Sequence, residues 1–170
     1  MPGTVEFINV KPKREGERGL PKMPVDAASI TFTGVSGDYN VYRQEERAGD
    51  RDSAILLIPM ETIRDLNSEG WPVRPGDLGE NITTSGVPYS NFAVGATFSL
   101  GSAVFQVSRA CDPCDNLFLL PYVGAAKGPE FLKTMLGRRG WYGRVIREGQ
   151  VRRGDRIVEV PPGSAASQGF

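Results

Sequence analysis

The stretch Phe98-Ser99-Leu100-Gly101-Ser102-Ala103-Val104-Phe105-Gln106-Val107 decides the fold class. Two short apolar runs flank a Gly-Ser pair, the signal of a β-hairpin. The pattern extends in both directions. The 21 glycines and 13 prolines punctuate short apolar stretches throughout the chain, as in a mostly-β domain. Residues 5–10 predict a first strand and residues 25–32 a second. Residues 53–58 predict a buried strand, and residues 141–146 and 156–160 the last two, joined by turns at Glu148-Gly149 and Gly154-Asp155. A first helix is expected from Pro59, with Glu61 in its first turn and Ile63 and Leu66 on one face, ending near Gly70. A second is expected over residues 129–136, with Phe131, Leu132 and Met135 on its apolar side and Gly137 as its stop. Residues 11–23 read as a long basic loop and residues 34–52 as a loop-rich excursion. The pairs Gly37-Asp38, Gly49-Asp50, Gly76-Asp77 and Gly154-Asp155 read as turns, with glycine supplying positive φ and aspartate capping the backbone. The organisation is one domain over residues 1–160 and a small, polar, flexible tail over residues 161–170.

A chain of 170 residues is long enough for one domain with a real core. Its 20 Lys and Arg balance 20 Asp and Glu, which argues against nucleic acid or an anionic membrane as partner. No apolar run approaches the roughly 20 residues of a membrane helix. The N-terminus lacks the basic and apolar blocks of a signal peptide. Two cysteines are too few for a disulfide framework, so a reducing, cytoplasmic location is expected.

Both cysteines lie in Cys111-Asp112-Pro113-Cys114, directly after the hairpin, and the chain has no histidine. Ser-His-Asp triads, Cys-His dyads and histidine metal sites are therefore excluded within this polypeptide. Cys114 and Cys111 become the candidate chemical residues. A thiolate is both the nucleophile and the soft-metal ligand, and it needs a positive neighbour to form near neutrality. Arg109 shares a strand face with Cys111 and is the nearest candidate. Pro113 ends the ladder and places Cys114 at a strand end that faces a loop. Three readings stand: buried structural thiols, a C-x-x-C redox couple, or one thiolate that binds a soft metal or carries sulfur. A closed zinc site would need two further ligands, which only carboxylates could supply. Molybdenum or a persulfide needs a single protein thiolate.

The wider set of motifs resembles the MOSC domain, named for the C-terminal domain of molybdenum-cofactor sulfurase. Four segments carry the resemblance: Gly34-Val35-Ser36-Gly37-Asp38; residues 75–86, containing Gly79-Glu80-Asn81; Pro113-Cys114; and residues 140–149 followed by Gly154-Asp155. It implies a barrel-like, mostly-β fold with a few short helices. It also implies a pterin-bound molybdenum cofactor, or delivery of sulfur to metal centres, with Cys114 as the key residue and metal ligand. Related two-part proteins reduce N-hydroxylated compounds, with electrons from a separate donor protein; a sulfur carrier would instead need a sulfur-donor protein. On this reading Asp38, Glu80 and Asn81 hold the cofactor through polar contacts, although Glu80-Asn81 also reads as a simple turn. Arg109, Arg139 and Arg144 would contact its anionic parts. Together with Arg138, Arg139 and Arg144 read equally as a solvated basic surface. Two departures from the family pattern stand out. Tyr39-Asn40 occupies the region where many members have histidine, and Cys111 stands where members often have arginine.

Overall fold

Ile55–Pro59 is apolar at every position because it is buried on both sides. Ile55 and Leu57 point into one cluster; Ile58 points the opposite way into a second. The computed structural model describes residues 2–39, 44–45, 48–162 and 164. Its strands are β1 (Gly3–Val10), β2 (Met23–Val25), β3 (Ala27–Thr31), β4 (Gly34–Val35), β5 (Ile55–Pro59), β6 (Ile82–Ser85), β7 (Thr97–Leu100), β8 (Ala103–Ala110), β9 (Trp141–Arg147), β10 (Gly149–Arg152) and β11 (Arg156–Val160). The helices are α1 (Met60–Ser68) and α2 (Gly124–Met135).

Seven strands run in the order β11-β7-β8-β9-β5-β6-β1, and pairing of β1 with β11 through Gly3↔Ile157 closes them into a barrel. Closure leaves these strands without a free edge. β5 and β6 are parallel, joined by a crossover that contains α1; the other pairings in the ring are antiparallel. β2 adds to β1, and β10-β3-β4 form a small second sheet. The barrel interior is filled by Val5, Ile8, Ile55, Leu57, Ile82, Phe98, Phe105, Val107 and Ile157. The rings of Phe92, Phe98 and Phe105 stack in series, with centroids 4.9 and 5.7 Å apart. Outside the wall, α1 and α2 cover Ile58 with Ile63, Leu66, Phe131 and Met135.

The mostly-β barrel and its hairpin are as expected, and so are all four Gly-Asp turns: Gly37, Gly49, Gly76 and Gly154 have φ between 77° and 91°. Asp77 and Asp155 accept from the amides of Arg74 and Arg152, at 3.0 and 2.7 Å. Some boundaries differ. The expected strand over 25–32 is two strands, because the chain leaves β1 at Asp26 and joins β10. β6 and β10 are additional strands. α2 begins at Gly124 and holds Pro129 inside it rather than at its start. Its early turn can form because Gly128 lies under Phe118, where a Cβ would meet the ring at 2.3 Å. Asn40 and most of the tail expected to be flexible, residues 163 and 165–170, lie outside the described residues.

Gly140, entering β9, has φ 91°, and a Cβ there would lie 2.4 Å from the Leu57 carbonyl oxygen. Gly140→Ala is expected to cost roughly 2–3 kcal/mol of stability through strain and displacement of β9 from β5. Urea denaturation measures this; a loss under about 0.5 kcal/mol would show that the two backbones have room.

Candidate functional site

The barrel wall carries the site on its outer face, and a β-bulge puts it there. On β8, Val107 pairs with Gly143 and Arg109 with Tyr142, so Ser108 is an extra residue against β9. Without it, Arg109 would follow Phe105 and Val107 into the core. The bulge turns Arg109 outward. Tyr142 also pairs with Leu56, so Leu56, Tyr142 and Arg109 form one row across three strands. The Arg109 guanidinium lies 4.7 Å from the Tyr142 ring centroid. It also donates to the Ser53 hydroxyl at 2.6 Å and to Asp50 Oδ2 at 3.4 Å. Burial pushes the Asp50 carboxyl up, but hydrogen bonds from the Asp52 amide and the Ser53 hydroxyl, together with Arg109, hold it below the usual range.

β8 stops at Ala110, and the Cys111 amide donates to the Gly140 carbonyl at 2.9 Å. Cys111 is buried, its Sγ 3.6 Å from the Asp112 carbonyl oxygen. Cys114 is exposed, in extended backbone, and its carbonyl accepts from Leu117 at the start of a 3-10 turn over Asp115–Leu119. Both cysteines line one cavity of about 520 Å³, together with Arg109, Tyr142 and Leu56. That volume suits a small-molecule ligand. The basic N-terminal loop forms another wall through Arg18, Leu20 and Lys22. Arg18 donates to Asn116 Oδ1 at 3.2 Å, so it ties that loop to the segment after Cys114.

Asp38 and Asn81 support this wall from beneath. Lys22 Nζ meets Asp38 Oδ2 at 2.5 Å, and both side chains are 4% exposed. The same Asp38 oxygen accepts from Asn81 Nδ2 at 2.9 Å, and Asp38 Oδ1 accepts from the Lys11 amide at 2.8 Å. Asn81 Oδ1 accepts from the Leu56 amide at 3.2 Å. Asp38 and Asn81 are thus spent on holding Lys22 and Leu56, two residues of the cavity wall. Tyr39, beside the absent histidine position, lines the cavity as well.

Glu80 is fully buried. Its Oε1 accepts from the Gly76 amide at 2.6 Å and the Thr83 hydroxyl at 3.0 Å; its Oε2 has no hydrogen-bond partner. Arg139 lines the cavity at 5% exposure, with Nε and Nη1 unpartnered. Its Nη2 lies 3.8 Å from where a Cβ on Gly79 would stand, beside the Glu80 backbone. Two other arginines lie elsewhere. Arg144 pairs with Asp52 at 2.8 Å and is not in the cavity wall. Arg138 forms a two-pronged pair with Glu69 at 2.8 and 2.9 Å, so its guanidinium is already occupied. Sequence reading missed Lys22, Arg18 and Tyr142 as wall residues. Lys22 carried no signal of its own, since the Asp38 that fixes it is 16 residues away.

Burial pushes the Glu80 carboxyl up to about 7, against the opposing effects of its hydrogen bonds and Arg139. Its folded pKa is raised, so the native state holds the proton that the unfolded chain releases near the ordinary carboxylate range. Stability from this group is full below about pH 4.5, falls as pH rises, and levels off above about pH 7. Glu80→Gln is expected to flatten that slope, worth roughly 3 kcal/mol at most, in denaturation series run from pH 5 to pH 8. An unchanged slope would assign it to another group.

Comparison with known proteins places the fold in a family. The MOSC domain profile matches residues 44–158. The uncharacterised protein YflK of Bacillus subtilis is 29% identical over 92% of the chain, which spans 67% of YflK. A protein of Gibberella moniliformis named reductase is 34% identical over 74% of the chain, which spans only 22% of it. The crystal structure of YiiM from Geobacillus stearothermophilus superposes with a TM-score of 0.72 at 28% identity, covering 97% of the chain and 78% of YiiM. The matched range begins after the Gly37-Asp38 turn and includes the Glu80-Asn81 loop, the cysteine segment and nearly all of β9–β11. With a profile matching most of its length and a barrel of the same form, the chain belongs to the MOSC domain family, a family linked to molybdenum-cofactor binding.

Proposed function

We propose that this protein binds a pterin-type molybdenum cofactor in the cavity, with Cys114 as the protein ligand to the metal, and serves as a reductase component for N-hydroxylated compounds. The carrying observation is that an exposed thiol and a buried, partly unpartnered arginine share one cationic cavity. Among the described residues, no three Cys, Asp or Glu side chains converge to hold a metal ion by themselves. A metal at Cys114 would therefore take its other ligands from a cofactor or solvent. The donor set fits such a group: one soft thiolate for the metal, and arginine N–H groups for an anionic phosphate. When bound, the cofactor supplies the two-electron redox chemistry. Cys114 would anchor the metal, Arg139 would supply N–H donors to an anionic group, and Leu56, Tyr142 and Arg109 would line the cavity that holds it. Electrons would come from a separate donor protein. The reductase-named relative supports the reaction class.

A second reading draws on Cys111, which lines the same cavity. There Cys114 carries sulfur as a persulfide from a donor protein, and Cys111 helps discharge it by thiol exchange.

Elemental analysis of protein made in a cofactor-competent host separates the two. Stoichiometric molybdenum is expected in the wild type and none in Cys114→Ser; a variant that keeps its metal would remove Cys114 as ligand. Cys111→Ser should spare the reductase. Metal-free wild type that carries a cyanide-labile sulfur, with sulfur transfer crippled in Cys111→Ser, would favour the carrier.

A further inference from the structure

We propose that anion binding at Arg139 is coupled to proton uptake by Glu80, so that the cavity holds oxyanions more tightly as the pH falls. The proposal rests on the reading of the cavity as an anion site and adds its regulation. Two buried groups of opposite sign each keep unsatisfied atoms: Glu80, and Arg139, whose Nη2 lies 3.8 Å from where a Cβ on the neighbouring Gly79 would stand. Glu80 Oε2 has no hydrogen-bond partner, and neither have Arg139 Nε and Nη1. Leaving such atoms unpaired is costly, and the cost falls when a partner arrives. No hydrogen bond or ion pair joins Glu80 to Arg139, yet their charges act on each other. While Glu80 is ionised, it offsets the positive field of Arg139. A bound oxyanion on the cavity side adds a second negative charge to that one guanidinium. The two negative groups repel through a medium of low dielectric, and the weaker acid responds by taking up a proton. Glu80 then keeps its hydrogen bonds from Gly76 and Thr83 on Oε1, and Arg139 is left wholly to the ligand.

The charged and titratable groups around Glu80 leave it as the responder. On its own loop, Asp77 accepts from the Tyr122 hydroxyl at 2.9 Å, and Arg74 stands beside this pair. Tyr122, from the segment before α2, is raised further from ionisation by burial and by Asp77 and Glu80. From the N-terminal loop, Lys22 is paired with Asp38. From the loop after α2 comes Arg139 itself. The chain has no histidine, so no imidazole contributes between pH 5.5 and 7.5. Of the buried carboxyls, Asp38 is paired with Lys22 while Glu80 keeps an unpartnered oxygen, so a change in anion affinity there reports on Glu80.

Isothermal titration with sulfate, which keeps its charge across this range, tests the coupling. Wild-type protein is expected to bind sulfate about fivefold or more tightly at pH 5.5 than at pH 7.5. Titrations in buffers of different ionisation enthalpy should show net proton uptake on binding. Glu80→Gln retains the Oε1 acceptor and is expected to bind with no pH dependence and no proton uptake. Arg139→Gln should lose the site; if it does not fold, Arg139→Lys, which keeps the charge without the two unpartnered N–H groups, makes the same comparison. Proton uptake that persists in Glu80→Gln, or sulfate binding that Arg139 variants do not weaken, would overturn the proposal. Cys114→Ser protein should show the same coupling as wild type. Molybdenum retained by that variant would sink the metal-ligand reading and leave the sulfate result standing, so the two failures are distinguishable.

Discussion

A bulge at Ser108, between the Val107↔Gly143 and Arg109↔Tyr142 pairs, decides which side of the barrel wall Arg109 occupies. In regular pairing the row Phe105, Val107, Arg109 would carry a guanidinium among Phe98, Ile55 and Val145, at a heavy desolvation cost. Ser108 absorbs the offset, so the barrel keeps an apolar interior while the end of β8 presents Arg109 to the cavity, and Cys111, just past the strand, is buried in the cavity wall. The cavity depends on that shift. Leu56 and Tyr142 supply neighbours from β5 and β9, and the Gly140 carbonyl fixes the Cys111 amide. The cysteine segment thus leaves the barrel from a rigid strand end, which is the kind of support that a precise site requires.

The cations around the cavity differ in what they are free to do. Lys22 is neutralised by Asp38 in a buried pair, and Arg109 is committed to Asp50, Ser53 and the Tyr142 ring. A buried pair of this kind contributes geometry more than net stability, because desolvation offsets much of the attraction. These two set the shape and sign of the wall. Arg139 is different: it is buried as deeply as Lys22, yet two of its donors face no protein acceptor. Ligand energy is available where donors are desolvated and unspent, which marks Arg139 as the place where an anion gains most.

The fold was legible where apolar runs were short and punctuated. The Gly101-Ser102 hairpin, the β5 run and the Gly-Asp turns all follow from local chemistry. β6 was not legible: Ile82-Thr83-Thr84-Ser85 shows no alternation, and it becomes a strand because β5 and β1 supply partners on both sides. β10 is four residues between two turns, and only β3 gives it a ladder. Residues 25–32 read as one strand because their composition does not change where the chain passes from one sheet to the other. In the site, the cysteine segment, Arg109 and Arg139 were readable, and all reach the cavity. Asp38 and Asn81 were also readable, but they serve by holding Lys22 and Leu56. Arg144 is a strand residue whose face is set by β9 pairing, and it meets Asp52 instead. Lys22 could not be seen, because its position is a long-range consequence of Asp38.

The missing histidines and the odd cysteine can be understood together. Cys111 places a thiol rather than a cation at the strand end after Arg109. The loop that carries Arg139 is tied to the same strand end through Gly140, so a buried guanidinium reaches the cavity from another element. Beneath it sits Glu80, whose burial moves a carboxyl into the pH range that histidine ordinarily serves. A carboxyl in that role differs from an imidazole in sign: it is neutral when protonated and negative when not. Placed behind an arginine, it leaves the arginine's field uncompensated on the acid side of its transition and offsets it on the alkaline side. An imidazole in the same place would add its charge to the arginine's when protonated, at the expense of burying two like charges together. The carboxyl avoids that cost, which is a physical reason for a histidine-free chain to place its titrating group here.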